Sequence, residues 1–123
     1  MDDTFYNYQG FDDKRLEGIM KGWDGLGGYH GLLVRKIADL CLGDTVLDVG
    51  CGLCHLYEAM KVRRRPNPLP TKYVGVDIDD RVLKMAKERY PNLDIQKKSV
   101  YDLSGLDEFD SVTSIGLYRY APE

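Results

Sequence analysis

What this chain lacks narrows it first. No apolar run approaches the roughly 18 residues that a membrane-spanning helix requires, and the acidic start Met1-Asp2-Asp3 is not a signal peptide. Neither a membrane protein nor an exported one is therefore expected. Cysteine is scarce, three in all and an odd count; with no export signal, these predict reduced thiols in a cytoplasm. Basic residues are dense only at Arg63-Arg64-Arg65, against a net charge of −3. No aromatic basic face accompanies that run, so it reads as a solvated loop and not as a nucleic-acid patch. A zinc site built on Cys51 and Cys54 would need two more ligands, and only Cys41 and His30 remain. No metal is expected.

What is present is ordinary in bulk and specific in detail. Hydrophobic residues make up 43% and charged residues 30% of 123 positions, which suits one small globular domain. Residues 1–10 are aromatic and acidic without periodicity and predict a mobile arm. Leu16, Ile19 and Met20 give a short amphipathic helix from Asp13 to about Met20, broken by Gly25-Leu26-Gly27-Gly28. A second helix is predicted from Tyr29 to Cys41, with Leu33, Ile37 and Leu40 on one face and Gly43 as its C-terminal cap. Residues 1–43 are thus expected to be an arm with helices, in the place of a lid, ahead of a different unit at 44–123.

That second unit alternates in character. Thr45–Val49 is a continuous apolar run closed by glycines, as a strand buried on both faces would be. Leu53–Val62 has helical spacing at Leu56, Ala59 and Met60, and the three prolines within 63–71 stop that helix. Tyr73–Asp77 reads as the second strand. Asp79 or Asp80 caps a helix running to Tyr90, whose inner face is Val82, Leu83, Ala86 and Tyr90. Leu93–Gln96 and Ser111–Ile115 follow as third and fourth strands. Strand, helix, strand, helix, strand predicts an α/β fold with a Rossmann-like, doubly wound parallel sheet.

The chemistry gathers where the strands end. Val46-Leu47-Asp48-Val49-Gly50-Cys51-Gly52 is an apolar run ending in an acid and two glycines, and Tyr73-Val74-Gly75-Val76-Asp77 ends in a second acid. Gly50 and Gly52 lack a Cβ where the backbone must turn sharply and a ligand must come close, and the second acid falls where a carboxylate meets a ribose. A dinucleotide fingerprint would add a third glycine to seat a pyrophosphate on the helix N-terminus, and this chain has none there. Asp48 beside phosphates would be repelled, whereas beside an ammonium group it would not. S-adenosylmethionine carries that ammonium group, together with a sulfonium and an adenosine.

Taken together, Val46–Gly52 resembles motif I of the class I S-adenosylmethionine-dependent methyltransferases. Val74-Gly75-Val76-Asp77-Ile78-Asp79 resembles the second-strand acidic motif, and Phe109-Asp110-Ser111-Val112-Thr113-Ser114 the fourth-strand motif. The resemblance covers about residues 25–120 and implies S-adenosylmethionine as cofactor and methyl transfer as the reaction. It implies that Gly50, Cys51 and Gly52 lie under the methionine part, with Asp48 orienting its amino group directly or through water. Asp77 would accept from both ribose hydroxyls and Ile78 would lie against adenine. Ser99-Val100-Tyr101-Asp102 aligns with the stretch that presents an acid to the adenine amino group; the acid position falls on Ser99, with Asp102 three residues on. Trp23, Tyr29 and His30 are candidate ligand contacts. So are Tyr118 and Tyr120, on the acceptor side. A general base is not identifiable, and methyl transfer can run largely on positioning.

In this family the sheet order is 3-2-1-4-5-7-6, so the sequence reads as the N-terminal half, truncated after about the fourth strand. It predicts a fragment of a longer protein or a half-fold that pairs through strand four, since an open edge is a template for another chain. The acceptor is expected to be a small molecule. Other readings of the same residues are a catalytically inactive cofactor-binding or assembly module and an NAD(P)-dependent oxidoreductase. Cys51-Gly52-Leu53-Cys54-His55 also matches the c-type haem pattern and a redox pair. Small residues tolerated at a tight turn explain it better.

Overall fold

The computed structural model describes residues 28–40, 43–62 and 69–115, with side chains from residue 31 onward. The predicted arm, the helix at Asp13–Met20, Trp23, Arg63-Arg64-Arg65, Tyr118 and Tyr120 lie outside the described residues, as do the side chains of Tyr29 and His30. Among the described residues seven elements follow one another: α1 (Gly28–Leu40), β1 (Thr45–Val49), α2 (His55–Val62), β2 (Lys72–Asp77), α3 (Asp80–Arg89), β3 (Asp94–Lys97) and β4 (Ser111–Ser114). The strands form one parallel sheet in the order β3-β2-β1-β4. Among the described residues no helix is long and apolar enough to cross a membrane.

β1 and β2 take the centre because they are buried on both faces, and alternation along each strand sends successive side chains to opposite sides. One face carries Val46, Tyr73 and Ile95 and packs against all three helices through residues such as Ala38, Leu56 and Leu83. The opposite face carries Leu47, Val49, Val74 and Val76, covered by Val100, Leu103, Leu106 and Phe109 from the segment between β3 and β4. Asp79 caps α3, accepting from the backbone N–H groups of Arg81 and Val82, and so satisfies donors that the first turn leaves free.

α1 spans nearly the predicted range but buries a different face. Val34 and Ala38 are buried and Ile37 packs beside them, while Leu33 and Leu40 are 39% and 75% exposed. Two apolar stripes coexist on this helix, and the one with a small residue wins. Ala38 lets the helix lie close against its neighbour α2, a choice that depends on the partner and not on the spacing.

The base of the sheet is tied by Asp110. Its Oδ2 accepts from the Asp44 and Thr45 N–H groups at 2.8 and 3.2 Å, and its own N–H donates to Thr45 Oγ1 at 2.7 Å. Gly43 makes this clasp possible: its φ is +102°, and a Cβ there would come within 2.6 Å of the Asp110 Cβ.

Candidate functional site

At the C-terminal end of β1 the chain turns sharply. Gly50 and Gly52 hold φ of +72° and +54°, and Cys54 follows at +60°, the left-handed region that glycine enters without penalty. The Gly50 and Cys51 N–H groups both donate to the Val76 carbonyl, at 2.8 and 3.0 Å, so the turn is laced to the end of β2. Cys51 and Cys54 are buried beside Gly75, where a Cβ would meet the Cys51 sulfur at 2.9 Å. That contact explains a glycine inside a central strand. The C-x-x-C-H spacing therefore serves packing, and both thiols are free. The hydrogen bond with Cys54, then burial, push the Cys51 thiol up.

Asp77 stands across from this turn. Its Oδ2 accepts from the Gly52 N–H at 2.9 Å, and its Oδ1 from the Ile78 and Asp79 N–H groups at 2.8 and 3.1 Å. Burial raises its carboxyl above the ordinary range, and those backbone donors partly offset the rise. Three of the roughly four lone-pair sites of a carboxylate are thus engaged, which leaves Oδ2 able to accept once more. Beside it, a Cβ on Gly52 would meet nothing within 4 Å. An open lip next to a carboxylate with one acceptor site left is a cradle for one ligand hydroxyl group, where the family resemblance implies two.

Asp48 lies beneath, on the helix-facing side of β1, and is only 3% exposed. It accepts a hydrogen bond from the Tyr73 hydroxyl and one from Thr113 Oγ1 at 3.3 Å. Burial raises its carboxyl to about 6, against the opposing effect of those two donors. Tyr73 in turn is pushed up by burial and by the Asp48 charge. Neither Tyr73 nor Thr113 stands out in the sequence reading. The legible signal is a hydroxyl-bearing side chain inside each flanking strand, in a register that brings both alongside Asp48.

The structure brings Asp48, Gly50, Cys51, Gly52, Asp77 and Ile78 together at this end of the sheet. The segment proposed to face adenine starts next to them, with the Lys98 N–H donating to the Asp77 carbonyl at 3.1 Å. Within it, Ser99 Oγ accepts from the Tyr101 N–H and Val100 packs on the second sheet face. Asp102 is exposed and engaged locally, accepting from the Ser104 hydroxyl at 2.6 Å and from its N–H, which hold its carboxyl below the ordinary range. A separate depression of about 420 Å³ lies between α3 and β3. Solvated charges of both signs line it, including the Lys97–Asp80 pair, and none of the turn residues contributes to it. Among the described residues no three His, Cys, Asp or Glu side chains are placed to hold a metal ion.

Two of the three comparisons with known proteins find relatives of one kind. A family model described as a methyltransferase domain matches residues 46–123. DesVI of Streptomyces venezuelae is 20% identical with a TM-score of 0.63, over 85% of this chain and 44% of that one. CalS10, an amino pentose methyltransferase from Micromonospora echinaspora solved with S-adenosylmethionine bound, is 20% identical with a TM-score of 0.61, over 89% and 44%. Magnesium protoporphyrin IX methyltransferase from Synechocystis PCC 6803, also with S-adenosylmethionine bound, is 17% identical with a TM-score of 0.55, over 93% and 67%. No curated protein matches. The chain thus shares their fold, and spans less than half the length of the first two.

Proposed function

Because this chain belongs to the methyltransferase domain family, we propose that its glycine turn binds S-adenosylmethionine for methyl transfer to a small-molecule acceptor. The observation that carries this is the Asp77 carboxylate on the Gly52 N–H, beside open space. It offers a ribose hydroxyl an acceptor at the place where the backbone allows closest approach. Gly50 and Gly52 would lie under the methionine part, and Ile78 beside the base with Ser99, Val100 and Asp102. Asp48 would attract the ammonium group. When bound, the cofactor supplies a sulfonium-activated methyl group open to in-line displacement; this chain's own residues bind and orient it.

The electrostatics favour this ligand over a dinucleotide. Asp48 and Asp77 together make this end of the sheet negative, which repels a pyrophosphate and suits an ammonium and a sulfonium. The small-molecule acceptor rests on the amino pentose and porphyrin enzymes among the structural neighbours. Buried free thiols accord with a cytoplasmic setting. Val112, 62% exposed on β4 at the edge of the described sheet, supports self-association through that strand.

Isothermal titration tests the cofactor, with S-adenosylhomocysteine expected to bind and NAD not. Preference for NAD would overturn the reading in favour of an oxidoreductase. A methyl-transfer assay then separates an enzyme from a binding or assembly module.

A further inference from the structure

Asp48 is held in an unusual way for a buried acid. A carboxylate inside a sheet ordinarily finds a lysine or arginine, since an unpaired buried charge is costly. This one finds two hydroxyls, Tyr73 from β2 and Thr113 from β4, one on each oxygen. The register dictates the pair: Thr113 lies directly beside Asp48, and Gly75 on the other side has no side chain to intervene as Tyr73 reaches up from two residues earlier. A cationic partner would cancel the charge. Neutral donors satisfy the oxygens and leave the charge in place, in a low-dielectric setting where it acts strongly.

Resting on the reading that the turn holds the methionine part of S-adenosylmethionine, we infer that Tyr73 and Thr113 are positioning residues that keep the Asp48 carboxylate ionised and aimed, so that it attracts the cofactor's ammonium group. Each oxygen retains a second lone pair beyond the hydroxyl it accepts, the acceptor that the ammonium group, or one bridging water, would use. The titratable groups around Asp48 are Tyr73 and Asp77 of β2 and Cys51 and Cys54 of the turn. Asp77 disfavours the Asp48 charge, and the two hydroxyls favour it. Removing a hydroxyl must therefore raise the pH at which Asp48 ionises.

Titration with two ligands tests this on the full chain. S-adenosylhomocysteine carries the ammonium group, and 5′-methylthioadenosine has the same nucleoside without it. Tyr73→Phe should weaken the first about tenfold and the second by less than about twofold. Wild-type affinity for S-adenosylhomocysteine should fall as pH drops through about 6. In Tyr73→Phe the fall should come at higher pH, and raising the pH further should recover the affinity. Thr113→Val should move the profile the same way, and Thr113→Ser should restore it. Equal loss of both ligands, or an unshifted pH profile, would overturn the positioning role and leave the cofactor assignment standing. A wild type that binds neither ligand overturns the assignment itself and this role with it. Should Tyr73→Phe not fold, the two Thr113 variants decide.

Discussion

Asp77 accepts three backbone N–H groups, from Gly52, Ile78 and Asp79, so a substitution there acts on the turn and on the ligand together. Asp77→Ala should weaken S-adenosylhomocysteine by about 1.5–3 kcal/mol, the range for hydrogen bonds to a charged group. 5′-Methylthioadenosine should weaken alongside it, because the ribose is common to both. Titration calorimetry reads this, and unchanged affinity would remove Asp77 from the site. Asp48 makes the complementary prediction for stability. Its carboxyl is raised from 3.8 to about 6, so the folded state holds its proton more tightly than the unfolded one. The stabilisation is complete below about 3.8 and lost as pH rises through about 6. Each tenfold difference in proton affinity between the two states is worth about 1.4 kcal/mol. Thermal melts of wild type and Asp48→Asn should show the difference between them changing over that window and flat above it. The two acids were legible in the sequence because each ends an apolar run just before a turn. Tyr73 and Thr113 were not, since a tyrosine or threonine in a strand is unremarkable until the register shows what it faces.

Among the elements, glycines separate strain from space. Gly43 and Gly52 both have positive φ, which costs an alanine about 1–2 kcal/mol. At Gly43 a Cβ also drives into Asp110, whose bonds to Asp44 and Thr45 fasten β1 to β4. Gly43→Ala should therefore destabilise clearly more than Gly52→Ala, by thermal or denaturant unfolding. Gly52→Ala should instead lose ligand affinity, as its methyl enters the open lip. Equal destabilisation by both would deny the clasp its importance. The described strands and helices could be read from sequence to within a residue or two: β1 and β2 are apolar runs with sharp ends, and α3 carries its own cap. α1 shows the limit. Its spacing offered Leu33 and Leu40 as readily as Val34 and Ala38, and only the surface of α2 decides between them.

At the scale of the whole molecule the sheet is dressed unequally. Among the described residues, three helices share one face, and the segment 98–110 covers the other. Its middle carries local hydrogen bonds, such as Tyr101 to Ser99 and Ser104 to Asp102. Four apolar side chains hold it down. The middle of this segment, between its anchors at Lys98 and Asp110, should open more readily than the central strands, so its amides are expected low on the ladder of opening energies and those of β1 and β2 near the top. Hydrogen exchange followed by mass spectrometry should show residues 101–106 exchanging well before 46–49 and 73–76, and similar protection would contradict it. Ser99, Val100 and Asp102 belong to this same loosely held stretch. A nucleoside that touched them would slow their exchange from a distance no greater than its own base, turning the thin side of the sheet into a reporter of occupancy.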